Sequence, residues 1–414
     1  MASSPKIIVF DDDPTGSQTV RGCPLLLDFS TASLQVGLAD PSPLLFLLTN
    51  SRALELDQVR RQLTVLCQRL KPLLAQLERP WLVVSRGDST LRGHTPLEPE
   101  VIRSELGPFA ANLLVPAFPQ GGRTTTAGVH LLDGEPLHHS AFARDRRFAY
   151  PSSDLPQWLE HKTAGAIPSD SVVRLKPVDS LAELEPGEWA VVDASTPKDV
   201  DLIAEQVLAE LAKGRKHLCQ SAASLLNGLS GMPSVLLEPT EVPPIADPGL
   251  VLVGSHVPLT DAQLADLLEQ PGCQGVEFSL DEPQEPSALT AQLQHFLNSG
   301  VTPVLFSSRG ERPGYSPARQ RELALQMSQV VMALKPPLGY VIAKGGTTSL
   351  TFLQQGLQLR QVRLLGQLLP GLSLVQPTVV HPRFGRLPVV TFPGNLGEKT
   401  TLSRCWQLLE AARR

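Results

Sequence analysis

Short apolar runs alternate with longer amphipathic stretches along almost the whole chain. The runs are rich in Val, Ile and Leu and lack a polar residue at every second position, which is typical of strands buried on both faces. The predicted strands are Ile7–Phe10, Leu44–Leu48, Trp81–Val84, Asn112–Val115, Val172–Leu175, Trp189–Val192, Leu250–Val253, Val301–Phe306, Gly339–Ala343 and Val389–Phe392. The predicted helices between them include Leu56–Leu77, Asp199–Leu211, Thr260–Leu268, Ala288–Leu297 and Pro317–Leu334. This alternation predicts an α/β fold of mainly parallel sheets flanked by helices.

The length of the chain predicts more than one domain. It has 414 residues, which is more than a single hydrophobic core ordinarily serves. Five prolines fall between Ser230 and Pro248, where the strand and helix pattern is interrupted. We therefore predict one domain over residues 1–232, a second over residues 249–414, and a proline-rich linker over residues 233–248.

The composition argues against several classes of protein. The net charge of −5 gives no reason to expect a nucleic-acid partner. The five cysteines are scattered without CxxC spacing, which predicts a reducing compartment, the cytoplasm, and no disulfide framework. No apolar run approaches the roughly 20 residues of a membrane-spanning helix. The serines lack a GxSxG elbow, and Cys219 is predicted to lie in a helix core rather than to act as a nucleophile.

Polar loops follow four of the predicted strands in the first half. Ligands of open α/β sheets bind beyond the carboxyl ends of the strands, so these loops are expected to form one polar pocket. The loops are Asp11–Ser17, Thr49–Arg52, Ser85–His94 and Pro116–Thr125.

The residue types in these loops fit a small polyhydroxylated acid. Arginines hold a carboxylate or phosphate with paired N–H donors, and aspartates and hydroxyls bind hydroxyl groups. The candidates are Asp12, Asp13, Arg52, Asp88, Ser89, Thr90, Arg92 and Arg123. Alternatively, each residue by itself fits a turn, a helix cap or a surface ion pair, and three consecutive aspartates also fit Mg²⁺. The spacings of His94, His130, His138 and His139 match no common zinc pattern, so no protein-held metal is predicted.

The second half carries glycine-rich loops after its strands. Gly254 and Ser255 follow one predicted strand, Gly345 to Ser349 follow another and precede a helix, and Gly394 follows the last. Bare N–H groups at the start of a helix suit a phosphate, although a glycine pair also fits a tight turn. His256 fits either a nucleotide contact or a helix cap. Neither GxxxxGK[ST] nor GxGxxG is present.

Taken in order, these motifs resemble those of the four-carbon acid sugar kinase family. They are DDxTG at Asp12–Gly16, TxSR at Thr49–Arg52, DSTLRG at Asp88–Gly93, PAFPxxGR at Pro116–Arg123, GS at Gly254–Ser255 and GGxTS at Gly345–Ser349. The family includes D-threonate, D-erythronate and 3-oxo-tetronate kinases. The resemblance implies an N-terminal acid-sugar-binding domain, a C-terminal nucleotide-binding domain and an active site in the cleft between them.

The resemblance also implies roles for individual residues. Catalysis is expected of Asp12, Asp13 and Asp88, and substrate binding of Arg52, Ser89 and Arg92. The positions expected to contact ATP are Ser255, Gly345, Gly346, Thr347, Thr348 and Gly394, with Gly397 as the alternative to the last. The chain departs from the family pattern at Pro14, Asn50, Gly87 and His94, which leaves the exact sugar acid open.

These observations predict a kinase that uses ATP and Mg²⁺ to phosphorylate a small, four-carbon sugar acid, giving a 4-phosphate. Arg52 and Arg92 are expected to hold the substrate carboxylate, and Asp12 is the preferred general base. The alternatives are a kinase for a longer sugar acid, a sugar-acid enzyme that uses a nucleotide differently, and a sensor that binds both ligands without turnover. The sequence leaves a homodimer open.

Overall fold

A computed structural model describes residues 4–17, 19–279, 284–310 and 316–413 of the chain. The chain divides into two compact units, Met1–Ser234 and Val235–Arg414. Over the described ranges, no helix combines the length and apolar character that a membrane span requires.

The first unit contains an eight-stranded parallel sheet and a small antiparallel sheet. Its strands are β1 Lys6–Asp11, β2 Cys23–Leu26, β3 Leu44–Leu48, β4 Trp81–Arg86, β5 Asn112–Val115, β6 Arg123–Thr126, β7 Val129–Leu132, β8 Glu135–Pro136, β9 Val173–Leu175, β10 Trp189–Val192 and β11 Leu218–Ser221. The large sheet has the order β2-β3-β1-β4-β11-β5-β10-β9, and β6, β7 and β8 form the small one. Every pairing in the large sheet is parallel.

Six helices accompany these strands: α1 Thr31–Ala39, α2 Leu56–Ala75, α3 Leu97–Leu106, α4 Leu155–Lys162, α5 Pro197–Ala212 and α6 Ser224–Ser230. In α2, Val59, Leu63, Leu66 and Leu70 recur at intervals of three and four and are all buried, so one helix face packs on the sheet. The helix begins with a capping box that Glu55 and Gln58 form, which satisfies backbone N–H groups of its first turn.

The order of the strands determines where the first unit can bind a ligand. The chain continues from β1 to β2 and β3 on one side of β1, whereas β4 lies on its other side. Where the connections from two adjacent strands run to opposite sides of the sheet, a crevice forms at the carboxyl ends of those strands. Here β1 ends at Asp11 and β4 ends at Arg86, so charged residues stand at this crevice.

The second unit contains a seven-stranded mixed sheet. Its strands are β12 Leu250–Val253, β13 Cys273–Phe278, β14 Thr302–Ser307, β15 Val341–Lys344, β16 Gln361–Leu369, β17 Leu372–Pro377 and β18 Val389–Phe392. Within this unit the order is β13-β14-β12-β15-β18-β17-β16, in which the first five strands are parallel and β17 pairs antiparallel with both neighbours. The helices are α7 Pro258–Leu268, α8 Pro286–Asn298, α9 Pro317–Met332, α10 Gly346–Thr351 and α11 Thr401–Ala411. A single π-helical turn, Phe352–Gly356, continues α10.

The structure confirms the predicted α/β class. Each of the ten predicted strands is present, with ends that differ by no more than two residues. The hairpin of β16 and β17 was not predicted, and neither were β2, β13 and the small sheet. The domain limits stay a prediction. The structure adds that part of the predicted linker is packed, because Leu237 N–H donates to the Gln367 carbonyl at 2.7 Å and Ile245 is 1% exposed.

The prediction for Cys219 was wrong. This residue lies on β11, not in a helix, and α6 begins only at Ser224. The four residues of β11 are too few to show a period in the sequence. Because β11 is inserted between β4 and β5, these two strands are not adjacent in the sheet.

Candidate functional site

Three consecutive carboxylates follow β1 and are held by two arginines. Arg52 binds Asp12 through two hydrogen bonds, Nη2 to Oδ1 at 2.6 Å and Nε to Oδ2 at 2.9 Å, and its Nη1 lies 3.3 Å from Asp13. Arg86 Nη1 lies 3.2 Å from Asp11 Oδ1 and 3.3 Å from Asp12 Oδ1. The side chains of Asp11 and Asp12 are almost fully buried, so these contacts compensate the loss of water around their charges.

The surroundings give the three carboxyl groups different pKa values. Burial raises the pKa of Asp11 to about 7, although Arg86 acts in the opposite direction. Burial also raises the pKa of Asp12, against the lowering effect of Arg52 and Arg86. The pKa of Asp13 is lowered, because the charge of Arg52 and a hydrogen bond from Thr15 outweigh its burial. A proton is therefore retained more readily at Asp11 and Asp12 than at Asp13.

The loop after β4 places Asp88 beside Arg92. Arg92 Nε donates to Asp88 Oδ2 at 2.6 Å, and the Thr90 hydroxyl donates to the same oxygen. Although burial opposes ionisation, Arg52 and Arg92 hold the pKa of Asp88 well below its ordinary value. Leu91, within the same loop, adopts a left-handed φ of 64°, which is uncommon for a residue with a bulky side chain.

Two residues from later in the chain hold this loop in place. Tyr150 Oη donates to the Thr90 carbonyl at 2.8 Å, and His130 Nε2 lies 2.8 Å from the Ser89 carbonyl. Burial lowers the pKa of His130 to about 4, so its imidazole is neutral near pH 7. Ser89 thus contributes its backbone to the support of the loop.

A cavity lies in the first unit beside these groups. Its lining residues are Asp12, Ser85, Gly87, Asp88, Leu91, Arg92, Gly93, His94, Thr95, Glu98, Leu114, Pro116, Trp158, Gln220 and Ser221. Of the site residues predicted for this unit, Asp12, Asp88 and Arg92 line the cavity. Asp13, Arg52 and Ser89 do not line the cavity; Asp13 and Ser89 are next in sequence to a lining residue, and Arg52 is hydrogen-bonded to one.

Two charged residues of this site were not singled out from the sequence. Arg86 is 7% exposed and ends β4. Glu98 is 5% exposed, and its Oε1 accepts a hydrogen bond of 2.9 Å from Ser51 Oγ. Burial, with the charge of Asp12, raises the pKa of Glu98 to about 8. Arg86 could have been identified from the sequence, because it is a charged residue at the end of an apolar run. Glu98 could not, because an acidic residue in the first turn of a helix such as α3 is common.

Asn50, one of the departures from the family pattern, lies in the turn after β3. Asn50 adopts a left-handed backbone conformation, with φ 49° and ψ 30°, and Asn tolerates this conformation better than most residues. Its backbone N–H donates to the Asp11 carbonyl at 3.2 Å. Asn50 therefore helps to shape the turn that connects β3 with Arg52.

Two of the predicted glycines of the second unit, Gly345 and Gly394, lie close to Ser255. Thr260 Oγ1 lies 3.0 Å from both Ser255 Oγ and the Gly394 carbonyl. A Cβ atom on Gly394 would lie 2.6 Å from Ser255 Oγ, and one on Gly345 would lie 3.2 Å from Ser255 Cβ. Gly345 also has a φ of 117°, which only glycine adopts easily. Side chains are thus excluded where the loops after β12, β15 and β18 meet.

In the segment after Gly345, some residues are partly exposed to solvent, whereas others are buried and support the turn. Gly346 and Thr347 are half-buried at the start of α10, whereas Thr348 is 3% exposed. Ser349 Oγ lies within 2.9 Å of the Ala343 and Gly345 carbonyls, so its hydroxyl supports the turn. The backbone N–H groups and Thr347 are left as the groups that could meet a phosphate.

Lys344, which the sequence did not single out, is the last residue of β15 and immediately precedes this turn. Its side chain is fully buried, Nζ donates to the Pro393 carbonyl at 2.7 Å, and Nζ lies 3.8 Å from the centroid of the Phe392 ring. Burial lowers the pKa of Lys344 to about 7. The lysine joins the loop after β15 to the loop that contains Gly394.

Two family models match this chain, one in each half. Residues 7–229 match the family model of the sugar-binding N-terminal domain, and residues 250–402 match that of the nucleotide-binding C-terminal domain. The chain belongs to the four-carbon acid sugar kinase family.

Among the described residues, no group of three or more His, Cys, Asp or Glu side chains could hold a metal ion.

Relatives of this family member carry the names of kinases. The chain is 28% identical over 211 residues to the D-erythronate kinase of Heliobacterium modesticaldum, a match that spans 48% of this chain and only 47% of that kinase. It is 27% identical over 429 residues to the D-threonate kinase of Bordetella bronchiseptica, which covers 99% of this chain and 98% of that protein. The crystal structure of Haemophilus influenzae protein HI1011 shares the fold, with a TM-score of 0.62, 16% identity and coverage of 98% and 99% of the two chains.

The buried arginine cluster leads to a prediction about stability. Arg52→Gln should lower the free energy of unfolding by about 3 kcal/mol, because it leaves the buried Asp12 carboxylate with a single cationic partner. Urea denaturation of the full chain measures this change. The second substitution Asp12→Asn, added to Arg52→Gln, should restore part of the loss, since it removes the unpaired charge.

The control for this prediction is Arg319→Gln. Arg319 pairs with Glu322 on the surface, with both side chains about half exposed, so its loss should change stability by less than about 0.5 kcal/mol. Equal effects of the two Arg→Gln substitutions would contradict the importance that we give to the buried pair.

Proposed function

We propose that this protein is an ATP-dependent kinase that phosphorylates a hydroxyl group of a four-carbon sugar acid and releases the 4-phosphate. The observation that carries the proposal is the cavity that Asp12, Asp88 and Arg92 line together. It offers a carboxylate to accept a proton and a guanidinium to bind an acid. Family membership and the kinase names of the relatives support the reaction class.

Asp12 is the general base in this proposal. A base for a sugar hydroxyl needs a carboxylate within hydrogen-bond reach and a pKa that is not depressed. Asp12 lines the cavity, and burial raises its pKa. Asp88 also lines the cavity, but its pKa is held well below the ordinary value, and Asp13, with a lowered pKa, does not line it.

The two predicted carboxylate-binding arginines take different roles. Arg92 uses Nε for Asp88, while its Nη1 lies 3.9 Å from Asp145, so the outer edge of its guanidinium can bind the substrate carboxylate. Arg52 already binds Asp12 through two hydrogen bonds, so it orients the base. A direct contact between Arg52 and the substrate stays a prediction.

ATP would bind to the second unit through its phosphates. The glycines at positions 345 and 394 keep side chains away from Ser255, and the N–H groups after Gly345 remain available for phosphate oxygens. Mg²⁺ bound by the phosphates would neutralise the charge that develops during transfer. The residues of this chain bind and position the two substrates, and the transfer itself needs little covalent help from the protein.

The test of the proposed function is ADP production from Mg-ATP with a panel of sugar acids. We expect turnover with at least one of D-threonate, D-erythronate and 3-oxo-tetronate. Turnover only with five- or six-carbon acids would support a sugar acid kinase but would contradict a four-carbon substrate. Binding of an acid and of ATP without any ADP release would favour the sensor over the kinase.

Substitution of the base tests the assignment of Asp12. Asp12→Asn should lower kcat/KM for the acid by about 10²–10⁴, because general base catalysis contributes a factor of that size. In the wild type kcat/KM should rise with pH as Asp12 loses its proton, with a midpoint above the ordinary carboxyl value of 3.8 because burial raises its pKa. The variant should lose this acid limb. The exposed Asp170→Asn serves as control and should keep the wild-type pH profile.

Substitution of Gly394 tests the nucleotide site. Gly394→Ala would place Cβ 2.6 Å from Ser255 Oγ and should force these loops apart. We expect the apparent KM for ATP to rise by about tenfold, equivalent to 1.4 kcal/mol of binding free energy. The KM for the acid is the internal control and should stay unchanged. A parallel rise in both constants would argue against a nucleotide site at Gly394.

A further inference from the structure

One row of residues across the parallel sheet of the first unit contains two polar side chains. The register pairs Phe10 of β1 with Ser85 of β4, Ser85 with Gln220 of β11, Gln220 with Leu114 of β5, and Leu114 with Val191 of β10. Paired residues of adjacent parallel strands point to the same face of a sheet. A face covered by helices is normally apolar throughout. Here Ser85 and Gln220 interrupt the row, and both residues line the cavity.

Two polar atoms that belong to residues lining this cavity lack hydrogen bonds. Among the described residues, the Trp158 indole Nε1 and the Gln220 Oε1 are fully buried and have no hydrogen-bond partner. Trp158 is 1% exposed and packs in one apolar cluster with Leu91 and Leu114, which also line the cavity. Buried polar groups are usually paired, so two unpaired ones at a single cavity suggest a bound group.

The side chain of Gln220 is fixed by its other end. Gln220 Nε2 donates to the Thr95 hydroxyl, and Thr95 also lines the cavity. The amide nitrogen is therefore engaged, and the carbonyl oxygen is the atom that remains to accept a hydrogen bond. The indole of Trp158 can only donate.

A donor and an acceptor together match a hydroxyl group, which accepts one hydrogen bond and donates another. The charged groups of the cavity are suited to other parts of a sugar acid, because Arg92 binds a carboxylate and Asp12 takes the proton of the reacting hydroxyl. We propose that Trp158 and Gln220 form a subsite for a neutral, unreacting hydroxyl of the sugar acid. Trp158 Nε1 donates to its oxygen, and Gln220 Oε1 accepts its hydrogen.

This inference rests on the proposed function and specifies its substrate class further. In a four-carbon acid that is phosphorylated at C4, the hydroxyls that remain are at C2 and C3. A site that hydrogen-bonds a substrate hydroxyl rejects an analogue without it, because its buried polar groups are then left unpaired. Trp158 and Gln220 are therefore specificity-determining residues that select acids with a hydroxyl at one of these carbons against the corresponding deoxy acids.

The test measures binding by calorimetry with the full chain, without ATP. The probes are D-threonate and D-erythronate, with 3,4-dihydroxybutanoate, which lacks the C2 hydroxyl, and 2,4-dihydroxybutanoate, which lacks the C3 hydroxyl. The wild type should bind a tetronate at least about tenfold more tightly than one of the two deoxy acids. Trp158→Phe keeps the ring but removes the donor, so it should weaken tetronate binding by about tenfold and leave that deoxy acid unchanged.

Two further variants make the result specific. Trp189→Phe is the matched control, because Trp189 belongs to the same apolar cluster but does not line the cavity, and it should keep the wild-type ratio of affinities. Gln220→Met removes the acceptor with little change in length and should lower the ratio as Trp158→Phe does. It also tests the subsite if the tryptophan variant does not fold.

Several outcomes would overturn the subsite. If Trp158→Phe weakens the binding of all the acids equally, the indole only supports the fold. If the ratio of tetronate affinity to deoxy-acid affinity is unchanged in both Trp158→Phe and Gln220→Met, other molecules, such as water, satisfy the two atoms. A wild type that phosphorylates a tetronate without preference over either deoxy acid would reject the subsite alone. A wild type that discriminates in binding but releases no ADP would reject the kinase and support the subsite. Failure to bind any probe would reject both.

Discussion

The burial of consecutive carboxylates at the end of β1 is the constraint on which the first unit depends. Asp11 and Asp12 are both 1% exposed, and a buried charge is tolerated only when it is paired or neutralised. Arg86 supplies that pairing from the end of β4, and Arg52 supplies it from the turn after β3; these two strands flank β1. Three separate segments of the chain must therefore meet before the acidic loop can form.

This pairing also makes the carboxylates chemically unequal. Arg52 and Arg92 hold the pKa of Asp88 low, while burial raises the pKa of Asp12 and brings Asp11 to about 7. Groups of the same type with separated pKa values can serve different roles, one as a fixed negative charge and another as a proton acceptor. Asp12, Asp88 and Arg92 line one cavity, and the uncharged Trp158 and Gln220 line it as well.

The second unit reaches its binding geometry by a different physical route. Its candidate site has few charges, and its shape follows from the close approach of backbone segments around Ser255. Glycine at positions 345 and 394 permits that approach, and the buried Lys344 links the loops. The first unit thus positions charged side chains, whereas the second exposes backbone N–H groups.

The sequence alone determined the α/β class, ten of the strands and the groups that follow them. Apolar runs and their spacing are local properties, so Asp12, Asp88, Arg92 and the glycines at 345 and 394 could be identified in advance. The sequence did not show that Arg52 is engaged with Asp12 or that β11 separates β4 from β5. It also gave no sign that Glu98, Trp158 and Gln220 share one cavity. These facts depend on burial and on contacts between residues far apart in the chain, which only the tertiary structure decides.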